Sequence, residues 1–133
     1  MSVRLLVAAL MTVVLSACGG ASTVMATPTP VDMAVVKFKV GDESFRVKLT
    51  TKAQVDAARA AKAGGSARIP NGSIVTGAEV NSGWSWHLVN VAFAEATTEV
   101  CDGRPSDVEQ AGVNFGGGRY CPWTAEIVSI EAA

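Results

Sequence analysis

The stretch VKFKVGDESFRVKL, residues 36–49, alternates apolar and basic side chains on both sides of a short polar break. Val36, Phe38 and Val40 alternate with Lys37 and Lys39; after Gly41-Asp42-Glu43, Phe45, Val47 and Leu49 alternate with Arg46 and Lys48. Successive strand side chains point to opposite faces. Period two on both sides of a turn therefore specifies a β-hairpin with one apolar and one basic face. Directly after it, Thr51-Lys52-Ala53-Gln54 has the capping-box pattern, an alanine-rich run continues to Ala63, and Gly64-Gly65 ends it. That is a helix with both ends marked.

Further along, turn chemistry divides the chain into short elements. Ile69-Pro70-Asn71-Gly72 reads as a turn before a strand over residues 73–80, and Asn81-Ser82-Gly83 as a turn into a strand over 84–88. A strand is expected over 97–101, followed by the turn Asp102-Gly103-Arg104-Pro105 and a short helix opened by Ser106-Asp107-Val108-Glu109. A glycine-rich loop over 114–119 leads to a last strand over 124–131. The expected fold class is α+β: a small, mostly antiparallel sheet with one main helix and one disulfide.

Toward the N-terminus the composition changes. Arg4 precedes an apolar run over residues 5–15, and Leu15-Ser16-Ala17-Cys18-Gly19 follows. Such a run is too short for a hydrocarbon core of about 30 Å and reads as a secretory signal. Its end resembles the lipobox of bacterial lipoproteins, in which the cysteine is acylated and becomes the new N-terminus. The resemblance implies a signal peptide over 1–17, lipidation at Cys18 and a membrane partner reached through that anchor. The segment GGASTVMATPTPVD, residues 19–32, is small, polar and aperiodic, so 18–32 reads as a lipidated tether and 33–133 as one domain. The expected location is the bacterial cell envelope, with the domain in an oxidising space outside the cytoplasm.

The chain has three cysteines. Assigning Cys18 to lipid leaves Cys101 and Cys121, which are expected to form a disulfide. Two cysteines and one histidine fall short of a four-ligand metal site. No cofactor motif accompanies them, since Gly116-Gly117-Gly118 lacks the Lys-Ser/Thr of a phosphate loop. Eight basic and four acidic residues lie between Val31 and Arg68, and two basic and eight acidic beyond. This uneven but nearly balanced charge argues against nucleic acid as a partner. Lys37, Lys39, Arg46 and Lys48 read first as a solvated strand face that discourages edge pairing, with anionic lipid or glycan as the alternative contact.

The unusual side chains concentrate between residues 84 and 123. Trp84, Trp86 and Leu88 would share one strand face and Ser85 and His87 the other. A Cys101–Cys121 bridge would draw Glu99, Asp102, Tyr120 and Trp123 together, with His87 joining if its strand is adjacent.

The order WSWHL, EVCD, glycine-rich loop, CPW resembles the amino-terminal domain family of a eukaryotic calmodulin-binding protein, which has secreted bacterial members. The resemblance runs from Phe38 to Ile130 and includes the hairpin, the helix carrying Ala58-Arg59, Gly72-Ser73-Ile74-Val75 and Asn81-Ser82-Gly83. Here Val89-Asn90 follows His-Leu where the family has Asp-Pro and a longer aromatic stretch. The family implies a fold and a binding label rather than a reaction.

Three readings of the domain follow. In the first it is a binding module whose Trp84, Trp86, Tyr120 and Trp123 present an aromatic surface to a protein, peptide or glycan. Core packing is the competing role, expected first of Trp86 and Trp123. In the second it is an enzyme using His87 with Glu99 or Asp102 as an acid/base pair, against a buried structural pair. In the third, the disulfide-braced segment 103–119 inhibits an extracellular hydrolase.

Overall fold

The computed structural model describes residues 32–133; the expected signal peptide, Cys18 and nearly all of the tether lie outside the described residues. The hairpin forms as its alternation specifies: β1 (Ala34–Val40) and β2 (Glu43–Leu49) pair antiparallel, with Val36 opposite Val47 and Phe38 opposite Phe45. Ala34, Val36, Phe38, Val40, Phe45, Val47 and Leu49 are all buried on one face. The basic face, with Lys37 directly opposite Arg46, turns outward.

Helix α1 (Lys52–Lys62) starts at the expected capping box, Thr51 Oγ1 accepting from Gln54 N–H and Gln54 Oε1 accepting from Thr51 N–H. It lays Val55 and Ala58 against the core. Gln54 Nε2 also donates to Val91 O at 3.0 Å, which fastens the helix start to the second sheet.

Beyond the helix lie β3 (Ile69–Thr76), β4 (Trp86–Ala94), α2 (Pro105–Ala111), β5 (Arg119–Tyr120) and β6 (Glu126–Ala132). They complete two antiparallel three-stranded sheets, ordered β2-β1-β6 and β4-β3-β5. The fold is α+β with one main helix, as the sequence patterns indicate. Phe38, Phe45, Trp86 and Tyr120 form an aromatic core, with Phe45 and Tyr120 ring centroids 5.3 Å apart and Trp86 and Tyr120 at 5.5 Å. Such pairs add roughly 0.5–1.5 kcal/mol each beyond their area burial.

Several elements differ from the sequence expectation. Ile69-Pro70-Asn71-Gly72 is the first half of β3 and not a turn. Its register with β4 shifts between Asn71 and Ser73. Pro70 is tolerated because β5 pairs with β3 only at Gly72 and Ser73, so no second strand seeks the missing N–H. Gly72 sits at a close approach, where a Cβ would lie 2.8 Å from Val91 Cγ2. Trp84 and Ser85 precede β4, which runs six residues past the expected end. The expected strand over 97–101 is instead a 3-10 turn, Glu99–Cys101. Strand propensity reflects fit to a half-buried pleated surface, and Val100 there is 72% exposed with no strand beside it. The glycine-rich loop is largely a second 3-10 stretch, Gly112–Gly117.

Candidate functional site

The Cys101–Cys121 disulfide forms, with Cα atoms 5.1 Å apart. In the chain-entropy picture a closure of this length contributes roughly 3 kcal/mol. The bridge joins the 3-10 turn to the end of β5, and Cys121 N–H also donates to Cys101 O at 2.8 Å. Gly116 packs onto this joint so closely that a Cβ would lie 2.8 Å from Cys101 Cα.

Around the bridge the structure brings together three of the expected residues. Asp102 Oδ1 accepts from Gly103 N–H and from Trp123 N–H, both at 2.9 Å. Tyr120, fully buried, donates its hydroxyl to Gly103 O at 2.9 Å. Burial pushes its ionisation well above the ordinary tyrosine range, and the carboxylates of Glu43, Asp102 and Asp107 add to the effect. Trp123 donates Nε1–H to Thr97 Oγ1 at 2.6 Å and is 38% exposed as a residue.

The other candidates lie elsewhere. Trp86 is only 2% exposed in the core, and Trp84, half-buried beside it, donates Nε1–H to Ser44 O at 2.9 Å. The expected four-ring aromatic surface therefore does not form, because three of its members face inward. Trp86 takes the packing role expected of it; Trp123 does not. Glu99 stands exposed on the 3-10 turn.

His87 does not join Glu99 or Asp102. It sits on β4, opposite Val75 of β3, and β5 lies on the far side of β3. Strands are spaced about 4.8 Å apart, so the order β4-β3-β5 puts two strand spacings between His87 and the disulfide end. Its partners are local: Nε2 lies 3.0 Å from Glu79 Oε2, and Nδ1 lies 2.7 Å from Gly77 O. Glu79, with φ +48°, and Asn90, with φ +53°, adopt left-handed backbone beside this pair. Both also line a hollow of about 260 Å³ with Lys48 and Thr50. Among the described residues no group of three His, Cys, Asp or Glu side chains could hold a metal ion, and no helix is long and apolar enough to cross a membrane.

Trp123 also lines a larger groove, of about 380 Å³, between the end of α1 and the start of β6. Lys62, Arg68, Thr124, Glu126 and Ile127 are among its other lining residues. These residues escape sequence reasoning because they come from three separate segments. The one available signal is the basic excess through residue 68, which includes Lys62 and Arg68.

No curated protein and no solved structure matches the chain. A family model described as the BP-74 N-terminal domain matches residues 32–133. That span covers the hairpin, the capped helix, the Trp84–Leu88 segment and the disulfide joint in one continuous match, extending the Phe38–Ile130 resemblance at both ends. The chain belongs to the BP-74 N-terminal domain family.

Proposed function

We propose that this protein is an exported, lipid-anchored binding module that meets its ligand at the groove beside Trp123. The observation that carries the reading is the state of Trp123. A large aromatic residue lines a groove, partly exposed, while its backbone and its side chain's only donor are fixed by Asp102 and Thr97. Preorganised aromatic side chains suit binding because little ordering remains to be done on contact. The lipobox-like segment ending at Cys18 supports the anchoring, and with it the role of a tethered receptor at the envelope.

The alternatives have less support. An acid/base role needs His87 beside Glu99 or Asp102, whereas His87 is paired with Glu79. A calmodulin-type partner would want a basic amphipathic helix with large apolar anchors. Helix α1 buries only Val55 and Ala58, and it packs on β4 and β6.

Two measurements test the proposal. Fatty-acid labelling and membrane fractionation of the full chain should show acylation that is lost in Cys18→Ser; an unlabelled wild type overturns the anchor. Pull-down from envelope and host extracts with the detergent-solubilised full chain should retain partners that Trp123→Ala loses. Equal recovery by both overturns the Trp123 site.

A further inference from the structure

We infer that the Trp123 groove is a subsite for an acidic sugar, a saccharide ring that carries a carboxylate. The inference rests on the binding-module reading and supplies the chemical class of its ligand. Three features of the groove converge on it.

The first is what Trp123 has left to offer. Its Nε1–H is already donated to Thr97 Oγ1, so the indole presents an apolar π-face and no hydrogen bond. A flat ligand face of C–H groups, such as one side of a pyranose ring, stacks on that surface. A cation would stack as well, but the groove's own charges oppose one.

The second feature is those charges. Lys62 lies in the last turn of α1 and Arg68 just before β3. Among the described residues neither head group has an ion-pair partner. Two free cations beside one aromatic face select an anionic group, and a guanidinium binds a carboxylate through two parallel hydrogen bonds.

The third feature decides between a sugar and an acidic peptide. Glu126 and Thr124 line the same groove. A carboxylate only accepts hydrogen bonds, so Glu126 finds no donor on acidic side chains but accepts from sugar hydroxyls. Lys62 and Arg68 only donate, and Thr124 does both. Hydroxyl groups that donate and accept satisfy this mixed set, and one carboxylate on the ring satisfies the cations. A volume of about 380 Å³ is at the small end of ligand sites, consistent with one or two rings of a longer chain.

Calorimetric titration of the detergent-solubilised full chain tests the inference with three probes: a galacturonic acid trimer, the neutral galactose trimer and a hexaglutamate peptide. The expected result is saturable binding of the galacturonic acid trimer, at least about tenfold tighter than the neutral trimer. Trp123→Ala should abolish it. Arg68→Ala, which leaves the disulfide joint untouched, should weaken it about tenfold. Lys37→Ala, on the outer face of the hairpin, should leave it unchanged. Equal binding of the neutral trimer, or undiminished binding by Arg68→Ala, overturns the acid requirement. Tighter binding of hexaglutamate overturns the sugar assignment, yet if it depends on Trp123 the binding-module reading stands. Failure of all three probes overturns the acidic sugar alone, because the pull-down tests the module separately.

Discussion

Asp102 fixes Trp123 across 21 residues of sequence: its Oδ1 accepts the Trp123 backbone N–H at 2.9 Å while also accepting from Gly103 N–H. The disulfide beside it joins the neighbouring residues Cys101 and Cys121, so one covalent and one charged tie set the position of the same loop. Removing the carboxylate leaves two backbone donors to water at an exposed site. We expect Asp102→Ala to cost about 1–2 kcal/mol in urea unfolding. Asp102→Asn keeps an acceptor oxygen and should cost less than half as much. Equal losses in the two variants would show that the tie is not a hydrogen bond.

Asn81 is a second tie, and it joins the two sheets. Its side chain is 1% exposed; Nδ2–H donates to Trp86 O at 2.9 Å and Oδ1 accepts Arg46 N–H at 2.8 Å. The first bond anchors the start of β4, and the second satisfies β2 at a sheet edge. Asn81→Leu keeps the branched heavy-atom shape but orphans both backbone groups. Its expected cost is about 2–4 kcal/mol in urea unfolding, the sum of two unsatisfied buried groups. A loss below about 0.5 kcal/mol, within the range of an ordinary surface substitution, would mean that water replaces both bonds.

What the sequence made legible was local. The 36–49 alternation specified the hairpin and its buried face, and Thr51-Lys52-Ala53-Gln54 specified the start of α1, because both depend on side chains a few residues apart. The Cys101–Cys121 pair followed from an odd thiol count. Long-range pairing was not legible. Pro70-Asn71-Gly72 has turn chemistry, yet β4 recruits it into β3; Thr97–Cys101 has strand propensity, yet no strand is free to receive it. The candidate site divides the same way. Asp102, Tyr120 and Trp123 follow from their adjacency to the two cysteines. The His87–Glu79 pair and the Lys62–Arg68 wall depend on strand order and on where α1 ends, which no short motif encodes.

Tyr120 gives an internal probe because it is the chain's one tyrosine. Burial first, then nearby Glu43, Asp102 and Asp107, raise its ionisation above the ordinary value of 10. A raised folded pKa means that the buried neutral phenol contributes fully below the unfolded value. That contribution falls as pH rises beyond it. Alkaline titration followed by tyrosinate absorbance should therefore show no ionisation of the folded protein near the ordinary value. The signal should appear in one step with unfolding, as the tryptophan fluorescence changes. A smooth titration at the ordinary value in still-folded protein would refute the burial of this hydroxyl.

Glu109 works in the opposite direction, and in acid. On α2, its Oε1 accepts Ser85 Oγ–H at 2.8 Å and its Oε2 accepts Ser85 N–H at 3.0 Å, tying the helix to the entry of β4. The backbone bond first, then the hydroxyl bond, lower its pKa below the ordinary 4.5. A carboxylate with a depressed folded pKa contributes stability fully above the unfolded value and loses it as pH falls through the folded one. Glu109→Gln still accepts through one oxygen, but without charge and at one site. The variant should be less stable than wild type at neutral pH. The gap should narrow as pH drops below 4.5 and close once the wild-type carboxyl is protonated. Urea midpoints across an acid series measure this directly, with Ser85→Ala as the matching half of a double-mutant cycle. The ionic strength should be held constant, because an exposed charged contact weakens with salt. A gap independent of pH would assign the effect to side-chain packing on α2 and not to the Ser85 bonds.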